Sequence, residues 1–298
     1  MDELVSFLSE SEVPIPTYLL IPPGIGNESA ITEVREAFWS AINIAKQSRH
    51  HAQDKIPPPE TPSRQTAEHA DAYFLEEETA AEIAKLNNAL LIVITEPMFL
   101  SMYKTPNHYG ADIVVAEGQP FGVSLAYGGP YAGLFACKKQ YLRQLPGRIV
   151  GETVDTDNEK GYVLTLQTRE QHIKRDRATS NICTSVGLIA LMATVYMALQ
   201  GKVGLKYLSE LCYHKAHYAA DKLSKLNGFE VVNNNFFKEF TLKCPTSVKD
   251  INSYLHENKV IGGYDLSSES DNHMLLSFTE MNSKDEIDNF INLLAKIN

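Results

Sequence analysis

From residue 89 onward the chain alternates between short, unbroken apolar runs and polar turns. The run Ala89-Leu-Leu-Ile-Val-Ile-Thr95 is apolar over strand length, a pattern that predicts a fully buried strand in a mostly parallel sheet. Residues 111–115 and 131–136 repeat it, separated by glycine-containing turns, and 162–166 form a weaker strand candidate. Residues 185–200 are apolar nearly all round. They predict a central buried helix that stops at Gly201 as its C′ residue.

Beyond Gly201 the pattern changes. An amphipathic helix over 205–227 leads into strands at 229–232 and 239–243, a helix over 248–258, the stretch Ile261-Gly-Gly-Tyr264, and a strand over 273–278. The last helix opens on Ser283-Lys-Asp-Glu286, a capping box in which serine and glutamate satisfy each other's unpaired amides. Short strands alternating with amphipathic helices predict a separate α+β domain.

Before residue 89 the signals are mixed. A short apolar run, Thr17-Tyr-Leu-Leu-Ile21, precedes a helical pattern over 30–46. The proline-rich stretch Lys55-Ile-Pro-Pro-Pro-Glu-Thr-Pro-Ser63 reads as an extended linker. A helix over 76–87 carries acids in its first turn, where they suit the helix dipole. The expected division is therefore 1–88, a divergent N-terminal region; 89–200, a larger α/β domain; and 201–298, a smaller α+β domain.

Composition narrows the class. The 298 residues are 44% hydrophobic and 21% charged, as in an ordinary soluble globular protein. A net charge of −10 argues against general nucleic-acid binding, which draws on clustered Lys and Arg. Cys137, Cys183, Cys212 and Cys244 form no CxxC pair and no metal-ligand spacing; they read as reduced thiols in a cytoplasmic setting. The acidic start Met1-Asp-Glu-Leu4 shows no secretory signal. No unbroken apolar run reaches the about 18 residues of a membrane span, so neither a membrane nor a metal is expected.

Three segments carry candidate chemistry. In Ala116-Glu-Gly-Gln119-Pro-Phe-Gly122, Gln119 stands beyond a presumed strand end, the edge where open α/β sheets take ligands. Its amide would project there as donor and acceptor, although an ordinary strand-connecting turn has the same composition. Tyr127-Gly128-Gly129-Pro130 permits positive φ and close backbone approach, and equally suits a structural turn. Gly24-Ile-Gly26 lacks the third glycine and the lysine of a phosphate loop. The densest segment runs from Gln167 to Asn181 and includes Arg169, His172, Lys174, Arg175 and Arg177. In an acidic chain it is a local reversal of sign, suited to an anionic phosphate or carboxylate, or to a surface paired with the chain's own acids.

Leu164-Thr-Leu-Gln-Thr-Arg-Glu-Gln-His-Ile-Lys-Arg-Asp-Arg-Ala-Thr-Ser-Asn-Ile-Cys183 resembles the P-protein family of the glycine cleavage system. Within that family it is most similar to the subunit-1 type of the split glycine dehydrogenase (decarboxylating). The stretches from Ala111 to Gly122, Tyr127 to Pro130, Leu145 to Gly151, Ile261 to Leu266 and His273 to Glu280 extend the resemblance from about Leu90 to the C-terminus. The region before Leu90 is unmatched and shorter than in the family.

The resemblance implies an α/β fold: the aspartate-aminotransferase-like, fold-type-I large domain of pyridoxal-phosphate-dependent transferases, truncated here, with a smaller C-terminal α+β domain. It implies decarboxylation of glycine with pyridoxal 5'-phosphate as electron sink, and passage of the aminomethyl group to a lipoyl H-protein. The cofactor's lysine would belong to subunit 2. At the corresponding turn this chain has Gln119, and an amide cannot form an imine. The resemblance therefore implies no catalytic residue here, and a chain inactive without its partner. Gln119, Tyr127, Gly128, Gly129, Arg169, His172, Arg175 and Asn181 are the candidates to line a cofactor site shared with that partner. Two other readings are a shortened non-catalytic paralogue acting as a binding or regulatory partner, and an enzyme whose chemistry the N-terminal region has rewired.

Overall fold

The computed structural model describes residues 80–297 except 127, 146–147, 168–170, 179–185 and 234. Expectations for 1–79 and for Tyr127, Arg169, Asn181 and Cys183 lie outside the described residues.

A helix over 80–86 (α1) precedes the first strand, β1 (Ile92–Thr95). Its β-branched run Ile-Val-Ile-Thr favours the pleated, extended backbone. β1 pairs in parallel with β2 (Ile113–Glu117), in the register Ile92↔Ile113 to Thr95↔Ala116. The crossover between them, 96–112, uses two 3-10 turns, Phe99–Ser101 and Pro106–Tyr109. β2 pairs antiparallel with β3 (Gly133–Cys137), which closes a mixed three-stranded sheet in the order β1-β2-β3.

The three apolar runs thus form the expected strands, but β1 is not fully buried. Among the described residues it has β2 alone beside it, and Ile92 and Ile94 are 54% and 84% exposed. The hairpin β4 (Ile149–Val154) and β5 (Lys160–Thr165) follows. β4 was not expected, because Gly151 and Glu152 interrupt its apolar alternation. After it come a single helical turn, α2 (Gln171–Lys174), and a 3-10 turn, Arg175–Arg177.

α3 (Gly187–Leu223) is two helices joined across a break at Gly201, so the first ends where expected. Gly201 has φ +60° and ψ −176°, a conformation that essentially only glycine adopts. The apolar first half, however, is not buried all round. Met192, Ala193, Tyr196 and Leu199 are buried, whereas Ala190, Thr194 and Ala198 face outward. By length and composition alone α3 would pass as a membrane span. In the fold Ala193, Tyr196 and Leu199 join Met98, Phe121, Leu208 and Leu211 in one apolar cluster that continues past Gly201.

The C-terminal part is a four-stranded antiparallel sheet, β6 (Glu230–Val231), β7 (Glu239–Lys243), β8 (Tyr264–Asp265) and β9 (His273–Ser277), in the order β6-β7-β9-β8. Alternation puts Phe240 and Leu242 on the inner face, opposite Leu276 and Met274. α3, α4 (Val248–Glu257) and α5 (Lys284–Leu294) supply Leu223, Ile251, Leu255, Ile287 and Leu294 to the same core. The capping box forms as expected: the Ser283 hydroxyl accepts from Glu286 N, and the Glu286 carboxylate accepts from Ser283 N at 2.7 Å.

Candidate functional site

Because β1 and β2 run parallel, their C-terminal ends open on one edge, which carries Glu96 after β1 and Glu117-Gly118-Gln119 after β2. Glu117 organises the turn. Its Oε1 accepts from Gln119 N at 3.0 Å and from Ala132 N at 2.8 Å, while Gly118 N donates to Ala132 O at 2.6 Å. The Gln119 turn and the segment leading from Gly128-Gly129-Pro130 into β3 are therefore tied together.

The Gln119 side chain departs from expectation. It does not project its amide outward; Nε2 donates to Val123 O at 2.6 Å, four residues on in the same loop. The loop then packs on α3 through Gly122, whose φ is +79°. A Cβ there would lie 2.7 Å from the Tyr196 Cβ. Gly128 and Gly129 do adopt positive φ, +133° and +120°, but no atom lies within 4 Å of a Cβ built on Gly128. Positive φ alone accounts for glycine at both positions.

On the same edge Glu96 is fully engaged. Its Oε1 meets the Lys238 ammonium at 2.8 Å and its Oε2 accepts from Phe99 N at 2.9 Å. Burial works against the Lys238 charge, but the Glu96 carboxylate, aided by Cys212 and Glu239, outweighs it and holds the amine's pKa above its ordinary value. Behind the pair, the Cys212 thiol donates to Glu280 Oε2 at 3.2 Å and accepts from Glu280 N at 3.2 Å. Burial first, then the Glu280 carboxylate, pushes the Cys212 thiol well above its usual pKa. The Lys215 ammonium, fully buried, donates to the backbone oxygens of Glu280 and Asn282.

His172 and Arg175 lie exposed on α2 and the turn after it, and Arg175 has φ +52°. Among the described residues no hydrogen bond or ion pair joins them to the Gln119 turn. Nor do the described residues hold three or more His, Cys, Asp or Glu placed to bind a metal. Sequence reasoning missed Glu96, Glu117, Lys238, Cys212 and Glu280. The first two were within reach, since each directly ends an apolar strand run; the others meet the edge only through long-range packing.

The model of the glycine cleavage system P-protein family matches residues 70–294 of the chain. The chain belongs to that family. The match begins ahead of the expected boundary at Leu90. Among curated relatives, the protein named "Probable glycine dehydrogenase (decarboxylating) subunit 1" of Dictyoglomus turgidum is 48% identical over 216 residues, covering 71% of this chain and 48% of the relative. The protein of the same name from Listeria innocua is 46% identical over 226 residues, 74% of this chain and 50% of the relative. The chain thus spans about half the length of the curated relatives it matches.

Among solved structures, glycine decarboxylase (P-protein) of the glycine cleavage system, in inhibitor-bound form, is 35% identical with a TM-score of 0.71. That match covers 74% of this chain and 51% of that one. A NifS-like protein from Rickettsia africae, 13% identical with a TM-score of 0.51, covers 74% of this chain and 57% of its own and shares the fold alone. The fold is fold type I of the pyridoxal-phosphate-dependent enzymes.

Pyridoxal phosphate is held by a lysine amine, with a charged side chain on its ring nitrogen. The described residues of this P-protein family member do not fit that arrangement. At the turn the side chain is an amide bonded to Val123 O, and the strand-end carboxylate of Glu96 is already neutralised by Lys238. The edge has the family's fold with its polar groups turned on one another.

Proposed function

We propose that this chain is a subunit-1 component of a glycine dehydrogenase (decarboxylating) in a glycine cleavage system, inactive alone. It would complete an active site whose pyridoxal phosphate is bound by a lysine of subunit 2. The relatives' name supports a second subunit, and the likeness to glycine decarboxylase supports the substrate class. The observation that carries the reading is Gln119. It occupies the loop beyond β2, and its amide nitrogen is held by Val123 O, so this chain offers no amine at that place. When bound on the partner, the cofactor supplies an electron sink for loss of the glycine carboxylate. This chain would contribute surface and charge, with His172 and Arg175 on an exposed basic segment suited to an anion of the shared site. The aminomethyl acceptor would be a lipoyl H-protein.

Reconstitution tests this. The purified chain, a matching subunit 2, an H-protein and pyridoxal phosphate are combined, and CO2 release from glycine is measured. The expected result is turnover only when both subunits are present. A well-formed complex of the two subunits that releases no CO2 overturns the reading, and leaves the chain as a binding or regulatory partner.

A further inference from the structure

Lys238 reaches Glu96 from the C-terminal sheet. It immediately precedes β7 of the C-terminal sheet, and its carbonyl accepts from Phe278 N at 3.0 Å, which fixes it to the end of β9. Its neighbour Phe237 meets the Phe99 ring edge-on at 5.7 Å, in the crossover that follows β1. α3 makes a parallel attachment: Ser209 Oγ donates to Met98 O at 2.7 Å, and the Ser101 and Ser209 hydroxyls are 2.6 Å apart.

We propose that the Glu96–Lys238 pair, backed by Cys212 and Glu280, is a partly buried latch that fastens the C-terminal sheet onto the ligand-side edge of β1 and β2 and fills that edge in place of a ligand. An open α/β sheet takes its ligands just beyond the carboxyl ends of its strands, and Glu96 sits there on β1. The cluster joins Glu96 and Glu280 with the ammonium groups of Lys238 and Lys215, and Glu239 also acts on Lys238, so both cations are compensated without an external anion. The Lys238 side chain is only 10% exposed and that of Glu96 26%. Removing one partner therefore strands a charge in a largely dry seam, a far larger penalty than breaking an exposed surface pair such as Lys225–Asp221. Nothing in the latch depends on which reaction the chain serves.

Two measurements on the full chain test it. In a double-mutant cycle, Glu96→Gln and Lys238→Met should each lower the midpoint of thermal unfolding by about 5 °C or more. The double variant should lose clearly less than the sum of the two. Unchanged midpoints, or simple additivity, overturn the latch. The second measurement needs no variant. The wild-type chain is incubated with pyridoxal phosphate and reduced with borohydride, and the labelled lysines are mapped. Exposed lysines such as Lys225 should label while Lys238 stays unmodified; an adduct on Lys238 shows that the edge is open to a ligand and overturns the proposal. Both readouts are independent of glycine turnover, so failure of the latch and failure of the subunit-1 reading are separately visible.

Discussion

Gln119 illustrates how far a single residue can be read before its neighbours are known. Its place beyond a strand end was legible, because an apolar run ending in Glu-Gly-Gln-Pro fixes where β2 stops. Its orientation was not, since the carbonyl of Val123 becomes an acceptor only once Gly122 has bent the loop against Tyr196. The cysteines divide along the same line. Their spacing was legible, but their reactivity follows from burial. Burial pushes the Cys244 thiol up to about 11, and burial with Glu280 pushes Cys212 well above its usual value. Since the thiolate is the nucleophile, neither should react with iodoacetamide in the native chain at neutral pH. Peptide mapping after a timed reaction should find both unmodified, with full modification only after denaturation. Native labelling of Cys212 would show that its seam opens on the timescale of the reaction.

At the scale of elements, local signals served best where the cause is local. β7 and the capping box of α5 fall where the sequence puts them, because alternation and a Ser-x-x-Glu spacing act within a few residues. β1 and α3 were placed but credited with too much burial, because an apolar run does not say what lies against its second face. Gly122 shows an element-level constraint that is steric as well as conformational. Gly122→Ala would place a methyl group within 2.7 Å of Tyr196, on a backbone at φ +79°. Gly128→Ala keeps a similar backbone penalty but enters open space. Urea denaturation should therefore show Gly122→Ala losing about 2–4 kcal/mol and Gly128→Ala about 1–2 kcal/mol. Equal losses would mean that the loop moves away from α3 at little cost.

Across the whole molecule the C-terminal sheet with α3, α4 and α5 encloses one core, while α3 on both sides of Gly201 shares another with Met98 and Phe121. The seam was not legible, because Glu96 and Lys238 are 142 positions apart and neither stands in a motif. The result is a chain of very uneven packing. The inner faces of β7 and β9 lie under α3, α4 and α5, with Leu242 and Met274 fully buried. The β4–β5 hairpin instead exposes apolar side chains on both strands, Val150 and Val154 on one, Tyr162 and Leu164 on the other. A two-stranded ribbon left in water is marginal by itself, whereas a sheet covered by helices opens only with most of its core. Amide hydrogen exchange should register this directly. β7 and β9 should carry the slowest amides of the described residues, and β4 and β5 should exchange orders of magnitude faster although their ladder is fully formed. Equal protection of hairpin and sheet would mean that the hairpin's apolar side chains are covered in solution, by a second copy of the chain or by residues outside those described.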